Sequence, residues 1–475
     1  MASIEIILRD DHGTIIKDGE KRVYELNLCN KRFSELRFTE IERSVEEFKK
    51  NALPDISADL LKEAQNDYKK EIKKKEGLKC NGTTPVHIRS LNGYFPFRVQ
   101  RFLSEAGEVT YFDLTNQFQE DYVSDSLGEF SGYYSNRLSY EEVEGLIERV
   151  TGQRQLSDVK IQQIVLDKAI EVSKVQEEEQ LEECQELKMP KVQGEVNIYD
   201  VEEKEILLFD DGIQVKKQKA NREKKGQRKS EEPFDNKRGK VNTDVVMLEK
   251  KDGDFEYIIG VIDEEGKERV PFEDIVKSEI IKEYGQEEEP LKIVAITDGA
   301  KDIRTRLLAI FGIVVTIILD WYHLSKKVRE LMSMIACNKE EKITHMRELL
   351  YYLWRGMADE AIGYLKKEVT ARHKQKLMEL ITYLEKHKAE IIDYGSRQKA
   401  GKTIGSGRME KGVDQVIGYR QKKKGMSWSE KGSKSLGILK VAELNNRWKE
   451  IWFSEDTAIN SEDYNSSHLP LAANY

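Results

Sequence analysis

Two segments decide the fold of this 475-residue chain: EILLFDDG at residues 205–212 and KIVAITDG at residues 292–299. Each is a continuous apolar run that ends in aspartate and glycine, as expected of a buried strand that leaves a sheet at a turn. The apolar patterns around these segments predict five more elements: strands TDVVMLEK (243–250) and DFEYIIGVID (254–263), helix FEDIVKSEIIKEYG (272–285), helix DIRTRLLAIF (302–311) and strand IVVTIILD (313–320).

The order of these elements predicts the fold class. Three strands joined by turns are followed by helix, strand, helix and strand, which is the arrangement of the α/β ribonuclease H-like core. In that core the first and the fourth strand lie side by side. We therefore expect Asp211 and Asp298 to meet at one edge of the sheet.

Three carboxylates predict a divalent-metal site. Asp211 and Asp298 close the two apolar runs, and Glu410 opens a helix-like segment in IGSGRMEKGV (404–413). Carboxylates at buried strand ends are costly unless something compensates them. Gathered at one edge, they would suit two Mg²⁺ or Mn²⁺ ions about 4 Å apart, which activate water or a 3′-hydroxyl at a phosphodiester.

Each of these acids also has a plain structural explanation. Aspartate before glycine is common in turns, and a glutamate in the first turn of a helix complements the helix dipole. Asp210 precedes Asp211, and strand alternation points the two side chains to opposite faces, so only one of them reaches the site. The residues alone leave that choice open.

Composition and charge limit the partners, the cellular location and the cysteine chemistry that we expect of this protein. The formal net charge of −9 disfavours nucleic-acid binding by the whole surface, so DNA contacts should come from local basic segments. No signal peptide is evident, and the longest apolar run is too short to span a bilayer. The four cysteines form no C-x-x-C pair, so we expect no disulfide framework and no structural zinc. These features favour a cytoplasmic, nucleoid-associated protein.

The flanking regions give the predicted organisation. LSYEEVEGLIERV and LSDVKIQQIVLDKAI read as two helices around a glycine turn, the outline of a helix-turn-helix or of any helical hairpin. The predicted parts are an α+β region at 1–137 with helices near 38–50 and 58–76, the helix-turn-helix-like segment at 138–171, an acidic linker at 172–199, the core at 200–324 and 401–455, an all-helical insertion at 325–400 and a disordered tail at 456–475.

Five motifs together resemble a known family. They are LSYEEVEGLIERVTGQRQLS (138–157), FDDGIQV (209–215), AITDGAKDI (295–303), ILDWYHL (318–324) and IGSGRMEKGVDQVIGYRQKKKGMSW (404–428). The chain resembles bacterial insertion-sequence transposases of the Kra type, distant relatives of the Mutator-like transposases. The resemblance covers roughly residues 120–455.

The resemblance implies a role for each of these residues. It places the metal-binding catalytic triad on Asp211, Asp298 and Glu410, and so selects Asp211 over Asp210. Asp320 and His323 become accessory residues of an aspartate-x-x-histidine element. Relatives often carry a cysteine-rich zinc element before the N-terminal hairpin, and only Cys80 lies near that place in this chain.

The function predicted from sequence is that of a DDE transposase. It would cut double-stranded DNA at the terminal inverted repeats of an element and join the 3′-hydroxyl to target DNA, acting as a homodimer or higher oligomer. A non-catalytic DNA-binding regulator and a nuclease without strand joining are the alternatives. The basic residues predicted to contact DNA are Lys216, Lys217, Lys224, Lys225, Arg228, Lys229, Arg420, Lys422 and Lys423.

Overall fold

The chain folds into two compact units, residues 1–165 with 449–475 and residues 166–448. In this computed structural model the described residues are 2–9, 13, 15, 21–27, 33–72, 78–104, 107–115, 117–118, 120–218, 239–422 and 425–453. Among the helices within those ranges, none is both long enough and apolar enough to cross a membrane.

The first unit begins with strands and one long helix. Its first seven elements are β1 (Ala2–Ile6), β2 (Arg22–Leu26), α1 (Phe38–Ile72), β3 (Lys79–Ser90), β4 (Gly93–Ser104), β5 (Gly107–Thr110) and α2 (Tyr111–Thr115). Strands β3, β4 and β5 form an antiparallel sheet whose apolar face packs under α1. The sequence predicted two helices, whereas α1 continues through Pro54. Proline removes only one backbone hydrogen bond, and the helix packs on both sides of it, with Phe48 against Tyr24 of β2 and Leu61 in the cluster with β4.

Three helices complete the first unit. They are α3 (Asp125–Ser135), α4 (Tyr140–Thr151) and the start of α5 (Asp158–Glu186). A capping box between Ser139 and Glu142 begins α4, and Gly152 ends it in the left-handed conformation with φ 78°.

Two boundaries differ from those predicted. Helix α5 does not stop at residue 171, because Val172 and Ser173 remain buried and keep the helix packed up to the point where its acidic part begins. The short helix α16 (Trp448–Trp452) was assigned to the core, but Trp452 packs on Gly132 of α3, where a Cβ would lie 2.5 Å from the indole. The predicted tail at 456–475 lies outside the described residues.

A five-stranded mixed sheet forms the centre of the second unit. Its strands are β6 (Ile206–Lys216), β7 (Lys240–Glu249), β8 (Phe255–Ile259), β9 (Ile293–Thr297) and β10 (Thr316–Leu319). Their order is β8-β7-β6-β9-β10. The first three strands pair antiparallel, whereas β9 is parallel to β6 and β10 is parallel to β9.

Helices cover both faces of this sheet. Helices α6 (Phe272–Tyr284) and α7 (Lys301–Phe311) bury Leu208 and Val246 on one face. On the other face, the chain forms α13 (Gly407–Val413), a π-helical turn, α14 (Tyr419–Gln421) and α15 (Glu430–Leu444). Strand residues alternate between the two faces, so neighbours in β6 meet different helices.

Residues 321–399 form five α-helices joined by short turns. They form α8 (Trp321–Ile335), α9 (Lys339–Trp354), α10 (Ala358–Lys367), α11 (Lys374–Lys386) and α12 (Tyr394–Lys399), with one 3₁₀ turn at Lys388–Glu390. Two contacts tie them to the sheet: the Tyr394 hydroxyl donates to the Leu319 carbonyl at 2.7 Å, and the fully buried Arg397 pairs with Glu205. The helical segment thus leaves the sheet at β10 and returns beside the start of β6.

A buried ion pair fastens α7 to the sheet. Arg306 donates to both carboxylate oxygens of Asp210 at 2.6 and 2.8 Å, and to Asp244 of β7 at 2.7 Å. Only 2% of Asp210 is exposed, and burial raises its pKa while Arg306 opposes that rise. The arginine therefore compensates a carboxylate that would otherwise be buried alone.

Asp210→Ala should lower the free energy of unfolding by about 3–5 kcal/mol, since it leaves Arg306 buried with only Asp244 as its partner. Urea unfolding followed by circular dichroism measures this change. The double variant Asp210→Leu with Arg306→Met should recover most of the loss, because it removes both charges. A single variant as stable as the wild type would contradict the role of the pair.

Candidate active site

The pairing of β6 with β9 places the first two acids. The last pair of residues in this parallel register is Asp210 with Thr297, and the next residues along the two strands are Asp211 and Asp298. The sequence predicted that Asp211 would end its strand, but it lies within the strand. Strand β6 continues to Lys216 against β7, because Ile213 and Val215 keep the alternation of buried side chains.

The turn after β9 fixes Asp298. Its Oδ1 accepts from the Ala300 backbone N–H at 2.8 Å, just before α7 begins. Gly299 has φ 83°, and a Cβ there would lie 2.5 Å from the His387 ring. His387 follows α11, so the helical segment packs directly on this turn, and glycine is required for that close approach.

Asp320 connects the last strand to the segment that carries Glu410. It is 1% exposed, its Oδ1 accepts from the His323 N–H at 2.8 Å as the N-cap of α8, and its Oδ2 accepts from the Ser406 N–H. Ser406 precedes α13, and its carbonyl accepts from the Glu410 N–H at 2.9 Å. Asp320 is therefore a positioning residue whose two oxygens hold both α8 and the start of α13.

Glu410 and His323 face each other across this junction. The His323 Nε2 lies 3.6 Å from the Glu410 carboxylate, and its Nδ1 lies 4.0 Å from Asp320. That Nδ1 is buried and has no hydrogen-bond partner among the residues that the structure describes. Glu410 is more than half exposed, as a group that meets a ligand from solvent must be.

The charges of this cluster act on Asp211. Burial raises the pKa of Asp211, and the carboxylates of Asp298 and Glu410 raise it further. The Gly212 N–H, at 2.8 Å, and His323 lower it. The other two acids named from the sequence, Asp298 and Glu410, thus lie close enough for their negative charges to act on Asp211.

The structure separates the roles of Asp210 and Asp211. Asp210 points to the face covered by α7 and is held by Arg306, whereas Asp211 points to the face of Glu410 and His323. The signal for this was present in the sequence. Arg306 lies on the apolar stripe of its helix with Ile303, Leu307 and Ile310, so a buried carboxylate partner was required.

The acids fit a divalent cation by the chemistry of their donors. Within the described ranges, no set of three or more histidine, cysteine or acidic side chains could hold a metal ion as it stands. Mg²⁺ needs only one or two protein carboxylates, with water and substrate phosphate as its other ligands. The unbalanced charge at Asp211 and the unpartnered Nδ1 of His323 are both consistent with a cation at this edge.

Tyr383 of α11 lies beside the acids and carries no signal in the sequence. Burial raises its pKa, and the charges of Asp298, Glu390 and Asp320 raise it further, so its hydroxyl is a neutral donor. Its ring also packs against His387, with centroids 4.7 Å apart. A tyrosine in an amphipathic helix is most simply a packing residue, which is why the sequence did not single it out.

The predicted DNA contacts divide into three groups. Lys216, Lys217 and Lys422 are exposed, and Lys217 pairs with Glu430 at 3.3 Å. Arg420 was predicted to bind phosphate, but it is 7% exposed and its guanidinium lies 4.8 Å from the Trp428 ring centroid, so its role is structural. The remaining five predicted residues, Lys224, Lys225, Arg228, Lys229 and Lys423, lie outside the described residues.

Comparison with known proteins does not assign the chain to a group. No protein-family model matches it, and no curated protein matches it.

The raised pKa of Asp211 makes the site a source of instability in metal-free protein. Above the ordinary aspartate pKa the unfolded carboxyl ionises before the folded one, so stability falls as pH rises. Asp211→Asn in EDTA should therefore be more stable than the wild type at pH 7, and the gain should vanish near pH 4. Urea unfolding at several pH values tests this.

Asp252→Asn is the matched control, because the pKa of Asp252 is lowered whereas that of Asp211 is raised. The Asp254 N–H lowers the pKa of Asp252 in its turn, so this carboxylate stabilises the fold once it is ionised. Its amide variant should be no more stable than the wild type at pH 7. An Asp211→Asn protein that is less stable than the wild type at pH 7 would show that the acids do not repel one another.

Proposed function

We propose that the protein is a DDE transposase with a ribonuclease H-like catalytic core. The observation that carries the proposal is the register of β6 with β9, which brings Asp211 beside Asp298, while Glu410 on a returning helix is close enough for its charge to act on Asp211. The sheet order β8-β7-β6-β9-β10, with β6 parallel to β9, supports the proposed core. The helical segment between β10 and α13 matches the proposed insertion.

The proposed reaction is the cutting of double-stranded DNA at the ends of an element and the transfer of the 3′-hydroxyl to target DNA. Asp211, Asp298 and Glu410 would hold Mg²⁺ or Mn²⁺. When bound, such ions lower the pKa of water and stabilise the leaving oxygen of a phosphodiester.

The protein side chains supply position and charge for this chemistry. Asp211 and Asp298 are fixed by the strand register and by the Gly212 and Ala300 N–H groups. Asp320 holds Ser406, which precedes the helix that carries Glu410. The His323 Nε2 lies 3.6 Å from the Glu410 carboxylate and can orient it. Pre-set groups of this kind cost no reorganisation when negative charge develops on the phosphate.

Exposed lysines supply the proposed contact with the DNA backbone. Lys216 and Lys217 are near the end of β6, and Lys422 follows α14. Each lysine that neutralises a phosphate should steepen the salt dependence of duplex binding. The overall charge of −9 makes such a local patch necessary for any contact with DNA.

Asp298→Asn and Glu410→Gln should each reduce Mg²⁺-dependent cleavage by at least about a hundredfold, because each removes a charged group that acts only in the reaction. The substrate is duplex DNA from the regions that flank the coding sequence, with a supercoiled plasmid as target. Cut ends and joined products are resolved on a sequencing gel.

Asp302→Asn, which changes an exposed carboxylate in the first turn of α7, is the control and should cut like the wild type. Joined products distinguish a transposase from a nuclease that only cuts. Full cleavage by either the Asp298→Asn or the Glu410→Gln variant would contradict the proposed site, and binding without any cleavage by the wild type would favour a non-catalytic regulator.

A further inference from the structure

A cleft in the first unit has the chemistry of a base-binding site. It encloses about 620 Å³ between the β3–β4 hairpin and the segment after α2, within the size range of small-molecule sites. The residues that line it are mostly aromatic or charged: His87, Arg89, Tyr94, Phe112, Asp113, Phe118, Asp121 and Tyr122. None of them belongs to the carboxylate site, which is formed by the second unit.

Two parallel rings form the floor of this cleft. The rings of His87 and Tyr94 lie 1° from parallel with their centroids 5.2 Å apart, and Tyr94 keeps 37% of its surface exposed. An exposed tyrosine on the solvent face of a sheet is a suitable surface for stacking an unpaired base. The guanidinium of Arg89 also lies over the Tyr94 ring, 5.8 Å from its centroid, so a base would stack on the part of the ring that stays exposed.

Arg89, the one arginine among the eight lining residues, is held in place, and the side chain of Asp121 is paired with Lys160. Arg89 donates to the carbonyls of Asp121 at 2.8 Å and Gln155 at 3.2 Å. Asp121 and Tyr122 have φ values of 64° and 53°, a conformation that non-glycine residues adopt rarely. The local structure thus keeps Tyr122 and Arg89 at the rim of the cleft.

The neighbouring face of the hairpin carries further positive charge. Tyr94, Pro96 and Arg98 alternate along β4 on the solvent side, opposite Arg89, His87 and Pro85 of β3. Two residues along a strand span about 6.8 Å, so Arg98 lies roughly 14 Å from Tyr94. An aromatic surface flanked by arginines suits a flexible strand whose bases stack while its phosphates meet the cations.

We propose that this hairpin cleft binds single-stranded DNA, with an unpaired base stacked on Tyr94 and the adjoining phosphates on Arg89 and Arg98. A rigid duplex hides its bases and cannot use the aromatic surface. This inference does not depend on the carboxylate site, because binding is defined in the absence of metal.

The test uses the full-length protein in EDTA, where no metal-dependent cutting can occur. Fluorescence anisotropy gives the Kd for a fluorescein-labelled dT12 strand and for a 12-base-pair duplex. The dT12 measurement is repeated in the presence of dTMP as a competitor. Tyr94→Ala should raise the Kd for dT12 at least about fivefold and leave that for the duplex unchanged, and Tyr94→Trp should restore binding.

Tyr133→Ala is the matched control, because Tyr133 lies in α3, outside the cleft. The Arg137 guanidinium lies over the Tyr133 ring, 3.7 Å from its centroid. It should bind dT12 like the wild type. Arg98→Ala is an independent second variant and should flatten the salt dependence of dT12 binding by about 0.7 in slope. It decides the matter should Tyr94→Ala fail to fold.

Three results would overturn the proposal. Folded Tyr94→Ala could bind dT12 as tightly as the wild type. The Tyr133→Ala control could lose as much affinity as Tyr94→Ala. Finally, dTMP could displace dT12 at an equal concentration of nucleotide, which would assign the cleft to a free nucleotide instead of a strand.

Discussion

The parallel register between β6 and β9 is the constraint on which the rest of the second unit depends. It pairs Asp210 with Thr297 and so brings Asp211 beside Asp298. Because neighbouring strand residues face opposite sides, the same register sends Asp210 to Arg306 and Asp211 to the side of Glu410. One aspartate therefore holds the fold together while the next is free for chemistry.

The acids of the candidate site are positioned by backbone N–H groups and by one buried carboxylate. Backbone N–H groups bind Asp211 and Asp298, and the carboxylate of Asp320 holds the segment before Glu410. Glu410 is more than half exposed, and the charges of Asp298 and Glu410 add to the effect of burial in raising the pKa of Asp211. An arrangement that repels itself without a cation is expected where a cation and a phosphate are the natural occupants.

Much of the core could be predicted because its strands are continuous apolar runs bounded by turns. Asp298 was recognisable for that reason, but the choice between Asp210 and Asp211 needed the partner of Arg306, which alternation alone does not supply. Arg420 was predicted to bind phosphate because it stands in a basic run, and only the fold shows that its guanidinium lies over the Trp428 ring. Pro54 and the acidic part of α5 suggested breaks that packing and local helix propensity override.

We propose that Asp211, Asp298 and Glu410 together bind divalent cations at one edge of the sheet. Anomalous diffraction from crystals of the protein soaked in Mn²⁺ tests it directly. The account predicts manganese peaks bounded by these three carboxylates, with oxygen ligands at roughly 2.0–2.5 Å. Manganese bound elsewhere, with no peak between Asp211 and Asp298, would contradict it.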